Sequence, residues 1–200
     1  MACKDKHRKH ARELHKTVDR VDHSTSKPDQ CNQLHYKRWI YQSIPMTHGY
    51  WERKIIDLGC DVGHTFSSVK KDNITQVDFV DREGIPNFVK ADLEEVLPFD
   101  DNSFDIVVIS EVLEHVENPE FSLSEAIRIS NDKILVSIPY EFGWSDDSKP
   151  FTHGEHIHYF TYDSYRKLIE DTGLRNDGIL EAYAGERMSW LCTTLYKEAK

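Results

Sequence analysis

The chain predicts an α/β fold built on a mostly parallel sheet, and three observations carry that reading. A short apolar run, Ile55-Ile56-Asp57-Leu58, breaks into a turn punctuated by Gly59 and Gly63, with an acid just before the first glycine. Three later segments repeat an apolar stretch that ends in an acid: Ile74 to Asp81, Phe88 to Asp92 and Phe104 to Glu111. Two final alternating segments, Ile179 to Tyr183 and Trp190 to Tyr196, read as an antiparallel hairpin that finishes the sheet. Acids at three successive strand ends place a ligand at the carboxyl edge of the sheet, where open α/β folds bind their ligands.

Taken in order, residues 1–28 form a basic, partly ordered arm whose thin stripe of Ala11, Leu14, Val18 and Val21 needs docking to become helical. Residues 29–200 form one domain, opened by a cap helix within 29–50 that carries Leu34, His35, Arg38, Trp39 and Ile40. The first strand delivers Gly59 and Gly63, which lack a Cβ and allow positive φ or close backbone approach to a ligand. Residues 64–71 read as a short helix whose free N–H groups point at the same place. Asp81 stands twenty-two positions beyond Gly59, near the offset of roughly 20 residues at which such sheets place a ribose-binding acid, and Asp78 is the weaker candidate. Too few residues separate Asp81 from Asp92 for a crossover helix, so a Gly84-Ile85-Pro86 loop replaces it.

Pro119 suits the first turn of a helix running to about Ile129, and Ile134 to Ile138 supplies the next strand. Tyr140 to Tyr159 is a long polar and aromatic loop of the kind that covers functional sites. Thr161 caps a helix from Asp163 to Thr172 that stops at Gly173.

Charge is uneven along the chain. Residues 1–50 carry ten Lys/Arg against five Asp/Glu, and the remainder carries fifteen against thirty. An acidic body repels nucleic-acid phosphates and tolerates a cationic cofactor, which argues against a nucleic-acid partner. The four cysteines show no CxxC spacing, and no segment reads as a signal peptide or membrane span, so the expected compartment is the reducing cytoplasm, with no membrane association.

The stretches IIDLGCDVG, FVDREG, VKADLEEVLPFDDNSFDIVVISEVLEHVENP and EHIHYFT together resemble the class I S-adenosylmethionine-dependent methyltransferases, over about Lys54 to Leu174. The resemblance implies a Rossmann-like three-layer sandwich of about seven mostly parallel strands with an antiparallel C-terminal hairpin. It also implies S-adenosyl-L-methionine as cofactor, with Asp57, Gly59, Cys60, Asp61 and Gly63 around its methionine part. Asp81 would then bind the ribose hydroxyls, Asp92 and Leu93 the adenine, and Ser110 and Glu111 would line the floor near the sulfonium. Asp61 stands where the family pattern usually has glycine, so it either avoids left-handed geometry or tolerates it, as Asp does more readily than most residues.

The implied reaction is direct displacement at an activated methyl group, which depends on in-line positioning and exclusion of water. A hydroxyl or carboxyl acceptor adds a need for a base, and His115 is the first candidate, ahead of His156 and His158. The run His153, Glu155, His156, His158 offers metal-ligand types, but it holds no thiol or regular helical His pair, and the resemblance calls for no metal. Ser137-Ile138-Pro139-Tyr140 follows the fifth strand, not the fourth, which disfavours adenine or glutamine N-methylation. The reading is thus a transferase acting on a small-molecule acceptor. ILVSIPYEFGW with EHIHYFT also resembles the MetW-like branch, and the alternative is a cofactor-binding regulatory protein or pseudo-enzyme acting through a protein partner. A nicotinamide-dependent dehydrogenase is ranked last, because the three-glycine G-x-G-x-x-G arrangement is missing.

Overall fold

The computed structural model describes residues 53–61, 63, 65–66, 72–81, 83–140, 156–184 and 188–198. The basic arm, the cap helix, the helix expected at 64–71 and residues 141–155 of the long loop lie wholly or mostly outside the described residues.

The apolar runs become the parallel centre of the sheet. They form β1 (Ile55–Leu58), β2 (Ile74–Asp78), β3 (Phe88–Lys90), β4 (Phe104–Ser110) and β5 (Ser130–Pro139). β1 is buried along its whole length, as a strand covered on both faces must be. Parallel pairing gives the order β3-β2-β1-β4-β5, with Leu58 opposite both Val77 and Ile109. Connections therefore reverse direction between β1 and β4, and the crevice at such a switch point is where open α/β sheets take their ligands.

The C-terminal strands complete the sheet in antiparallel sense. β6 (Arg175–Asn176) and β7 (Leu180–Ala184) both pair with β8 (Met188–Tyr196), which in turn pairs with β5. The register shifts by one residue between Asn176↔Leu195 and Leu180↔Cys192, so β6 and β7 are one strand interrupted by a bulge at Asp177 and Gly178. Gly178 takes φ +85°, and Asp177 Oδ1 accepts from the Thr194 amide at 2.9 Å, holding the bulged segment to β8.

Side-chain alternation splits the core in two. Ile56, Leu58, Val77, Val107, Ile109, Ile134 and Val136 face α1 (Pro119–Ile129) and α2 (Tyr162–Glu170) through Leu123, Ala126, Tyr165 and Ile169. Ile55, Ile74, Ile106, Val108, Leu135 and Cys192 form the opposite face with Phe66 and Trp190. Each such side chain contributes about 1.5–3 kcal/mol on burial, so a one-residue slip of any central strand is prohibitive.

α1 starts where Asn118 caps Phe121 N through its side chain, with Pro119 at the first helical position. Its C-terminal carbonyls are met by Lys197 Nζ, 2.9 Å from Ile127 O and Ser130 O. α2 opens with a capping box in which Thr161 Oγ1 accepts from Ser164 N and Ser164 Oγ accepts from Thr161 N.

Three strand ends differ from the sequence expectation. β2 stops at Asp78, not Asp81, because the Asp78 carboxylate accepts from the amides of Val80 and Asp61 and turns the chain out of the sheet. β3 stops at Lys90, two residues before Asp92. β4 stops at Ser110 because Glu111 adopts φ +57°. The short link from β2 to β3 contains turns and no helix among its described residues, as the spacing required.

Candidate active site

Five parallel strands point their carboxyl ends at the same edge, and the loop after β1 forms its centre. The amides of Gly59 and Cys60 both donate to Val77 O, at 2.8 and 2.9 Å, and Gly63 N donates to Cys60 O at 2.8 Å. Gly59 and Gly63 take φ of +73° and +74°. A Cβ on Gly59 would collide with Val112 Cγ2, and one on Gly63 would stand 2.7 Å from Gln76 Oε1. The glycines are therefore required by two separate packing contacts as well as by backbone geometry. Asp61 tolerates the left-handed region, at φ +47°, and its amide donates to Asp78 Oδ2 at 3.0 Å.

Asp57 is 1% exposed in the middle of β1, opposite Gln76 and Val108. Cys60 is buried beneath the loop. Asp81 lies beyond the end of β2 and is exposed, whereas Asp78 is buried and organises the turn. Asp92 follows β3 and accepts from Glu94 N at 3.0 Å, while Leu93 is buried, with its carbonyl held by Ser122 Oγ.

The end of β4 is fixed by side chains from two other strands. Ser110 Oγ lies 2.6 Å from Ser137 Oγ on β5, and Ser137 Oγ donates to Glu111 Oε1 at 3.1 Å. Trp190 Nε1 on β8 donates to the other carboxylate oxygen at 2.7 Å. Glu111 N also donates to Ser137 O, so a residue with left-handed backbone is held at both its main chain and its head group. Backbone strain of this kind persists only where surrounding contacts over-determine it, and it collects at functional sites. Burial, with the Glu111 charge as a second cause, pushes the neighbouring Cys192 thiol up and keeps it neutral.

Past Glu111 the chain runs through Val112 against Gly59 to Glu114 and His115. Glu114 O accepts from the amides of both Ile157 and His158, at 2.9 and 3.1 Å, which ties the segment after the long loop to the end of β4. His115 and His156 then meet edge to face, with ring centroids 4.7 Å apart, and His115 Nε2 lies 3.7 Å from Glu114 Oε1. The Nε2 atom of His158 is buried without a hydrogen-bond partner among the described residues, and its ring leans on Phe160 at 6.0 Å. His115 and His156 are thus brought together; His158 belongs to the same strip, on the side toward Phe160. His153 and Glu155 lie outside the described residues.

Residues 56–133 match the family model of a methyltransferase domain. Over this segment the chain is similar to methyltransferase domains. Among curated proteins, none is similar enough in sequence to match. Solved structures share the fold at low identity. A chain from the complex of the Haloferax volcanii Trm112 methyltransferase activator with a putative methyltransferase superposes with TM-score 0.61 at 16% identity, over 84% of this chain and 92% of that one. Magnesium protoporphyrin IX methyltransferase from Synechocystis PCC 6803, solved with S-adenosylmethionine, gives 0.62 at 13% identity, over 96% and 97%. The 1,6-didemethyltoxoflavin-N1-methyltransferase of Burkholderia thailandensis, solved with 1,6-didemethyltoxoflavin and S-adenosylhomocysteine, gives 0.63 at 16% identity, over 95% and 86%.

Within the matched segment, the LPFDDNSFD stretch has a structural explanation. Arg128 on α1 donates from Nη1 to Phe99 O and Asp101 Oδ1, and from Nη2 to Leu97 O, while Glu125 accepts from Nε and Nη2 with its two oxygens and from Leu97 N. Phe99 packs edge-on to Phe104, with centroids 5.1 Å apart. Sequence reasoning did not single out Trp190, Ser137, Val112 or Gln76 for the site, and no local pattern marks them. Each acts through a partner distant in sequence. Among the described residues, no helix is long and apolar enough to cross a membrane.

Proposed function

We propose that the protein transfers a methyl group from S-adenosyl-L-methionine to a small-molecule acceptor by direct displacement. One observation carries the reading: the left-handed Gly59 loop and the strained, doubly held Glu111 converge at the switch point between β1 and β4. The chain fits the cofactor there. Gly59 and Gly63 hold the loop after β1 in the left-handed region, which gives a ligand exposed backbone to approach, and the domain's acidic residues suit a ligand carrying a sulfonium and an ammonium.

Asp57, Gly59, Cys60, Asp61 and Gly63 hold the methionine part in this reading. Asp81 bonds the ribose hydroxyls, Asp92 and Leu93 border the adenine, and Ser110 and Glu111 form the floor. When bound, the cofactor supplies a methyl group already activated by a positively charged sulfur. The chain's own task is positioning. Glu111, immobilised by Ser137 and Trp190, keeps a fixed negative charge at the sulfonium end. His115 takes up the proton of a hydroxyl or carboxyl acceptor, with His156 beside it and His158 next along the strip. The setting is cytoplasmic, consistent with Cys60 and Cys192 being buried free thiols.

Calorimetric titration of the full chain with S-adenosylmethionine, and separately with NAD, tests the reading. Saturable binding of the first and none of the second supports it. Binding of NAD alone, or of neither, overturns it.

A further inference from the structure

The two imidazoles given to the acceptor stand beside a buried carboxylate, Glu114, that has no part in the methyl transfer described above. Glu114, His115 and His156 each offer a ligand atom, and these atoms all lie within 4.8 Å of one another. We propose that Glu114, His115 and His156 form a divalent-cation site built from two imidazoles and one carboxylate.

Three observations support it. The Glu114 carboxylate is 1% exposed beside two imidazoles, so a carboxylate oxygen and two ring nitrogens stand together away from bulk water. Two imidazoles on one ion, with metal–nitrogen bonds near 2 Å, put their ring centroids roughly 4.5–5.2 Å apart. His115 and His156 stand at 4.7 Å, nearly perpendicular. The two halves of the site are also locked together, because the Glu114 carbonyl accepts from both amides that follow His156.

Closing the donors to the roughly 3.3 Å separation of a tetrahedral site takes about an ångström of movement, within reach of side-chain rotation. Neither imidazole is fully buried, so an ion has a way in. Two nitrogens and one oxygen favour zinc or a neighbouring first-row ion over magnesium or calcium, which prefer all-oxygen shells. Three protein ligands leave at least one open coordination position, the pattern of a catalytic rather than a closed structural site.

The consequence for chemistry rests on the methyltransferase reading; the binding itself does not. An acceptor oxygen placed at the open position loses its proton more readily, and the proton leaves to water. The O–H bond electrons then form the new bond to the methyl carbon as the carbon–sulfur bond breaks. In the loaded protein the part given to His115 as base passes to the ion.

The test is titration of the EDTA-stripped full chain with Co2+ alone, read by visible absorption, and with Zn2+ alone, read by calorimetry. One equivalent should bind, with d–d bands showing nitrogen and oxygen ligation, and His115→Ala and His156→Ala should each weaken binding at least tenfold. Glu114→Gln is the least safe variant because the side chain is buried, so the two histidine variants decide, with circular dichroism confirming their fold. No binding, or binding that survives the His115→Ala/His156→Ala double variant, overturns the proposal. S-adenosylmethionine titrated into the same stripped sample separates the two readings. Cofactor binding without metal binding removes only the cation site, whereas metal binding without cofactor binding removes only the transferase assignment.

Discussion

Trp190 Nε1 donates to Glu111 Oε2 at 2.7 Å, joining residues 79 positions apart across β8, β5 and the end of β4. Ser137, on the strand between them, donates to the other oxygen. The Glu111 head group is thereby fixed before any ligand arrives, and a preorganised charge needs no reorientation on binding.

Trp190→Phe removes that donor while keeping an aromatic ring. A hydrogen bond to a charged group contributes about 1.5–3 kcal/mol, part of which water recovers at this partly exposed carboxylate. S-adenosylmethionine affinity should fall by roughly 5- to 20-fold by calorimetry. Unchanged affinity in a folded variant would detach Glu111 from the cofactor site.

Gly59→Ala meets two penalties, a left-handed backbone at φ +73° and the collision with Val112 Cγ2. Strain and overpacking together should cost about 2–5 kcal/mol in urea unfolding. Adding Val112→Ala relieves the collision and leaves the strain, so the double variant should be more stable than the two single losses summed. Strict additivity would show that the contact is not what fixes glycine there.

Asp81 and Asp78 separate by readout. Asp81 is exposed beyond β2, so Asp81→Ala should weaken cofactor binding by about 1–3 kcal/mol with little change in melting temperature. Asp78→Ala releases the amides of Asp61 and Val80 and should lower both. Full affinity in the Asp81 variant with loss confined to the Asp78 variant would move the ribose contact to Asp78.

Glu125 gives the fold an acid-sensitive joint. The hydrogen bonds from Arg128, followed by that from Leu97 N, hold its carboxyl below the ordinary value of 4.5, against the cost of burial. A depressed carboxyl stabilises the native state fully above the unfolded value and loses that contribution as pH falls through the folded value. Glu125→Gln should therefore be less stable than the parent at neutral pH, and the difference should shrink as the pH falls below 4.5 and through the folded value, followed by chemical denaturation. Arg128→Ala, which strands the buried carboxylate, should cost about 2–4 kcal/mol at pH 7.

The elements most legible in the sequence were those set by local chemistry. Pro119 and Ile129 bound α1 as the sequence indicated, and Thr161 caps α2. The missing crossover helix between β2 and β3 was visible as a simple shortage of residues. Strand ends were less legible, because β2 is terminated by amides that reach Asp78 from the Gly59 loop, and β4 by a backbone angle held from β5. The β6–β7 bulge was unreadable for the same reason: register is a property of the partner strand.

By itself the sequence determined the alternation of buried strands, the glycine turn and the row of acids, since periodicity and Cβ-free positions are written residue by residue. Only the tertiary structure decided that Trp190 and Ser137 would grip Glu111, that Val112 would press on Gly59, and that His156 would stand edge-on to His115. Those contacts join residues from separate strands and loops, and no local pattern encodes a distance that strand order and register alone create.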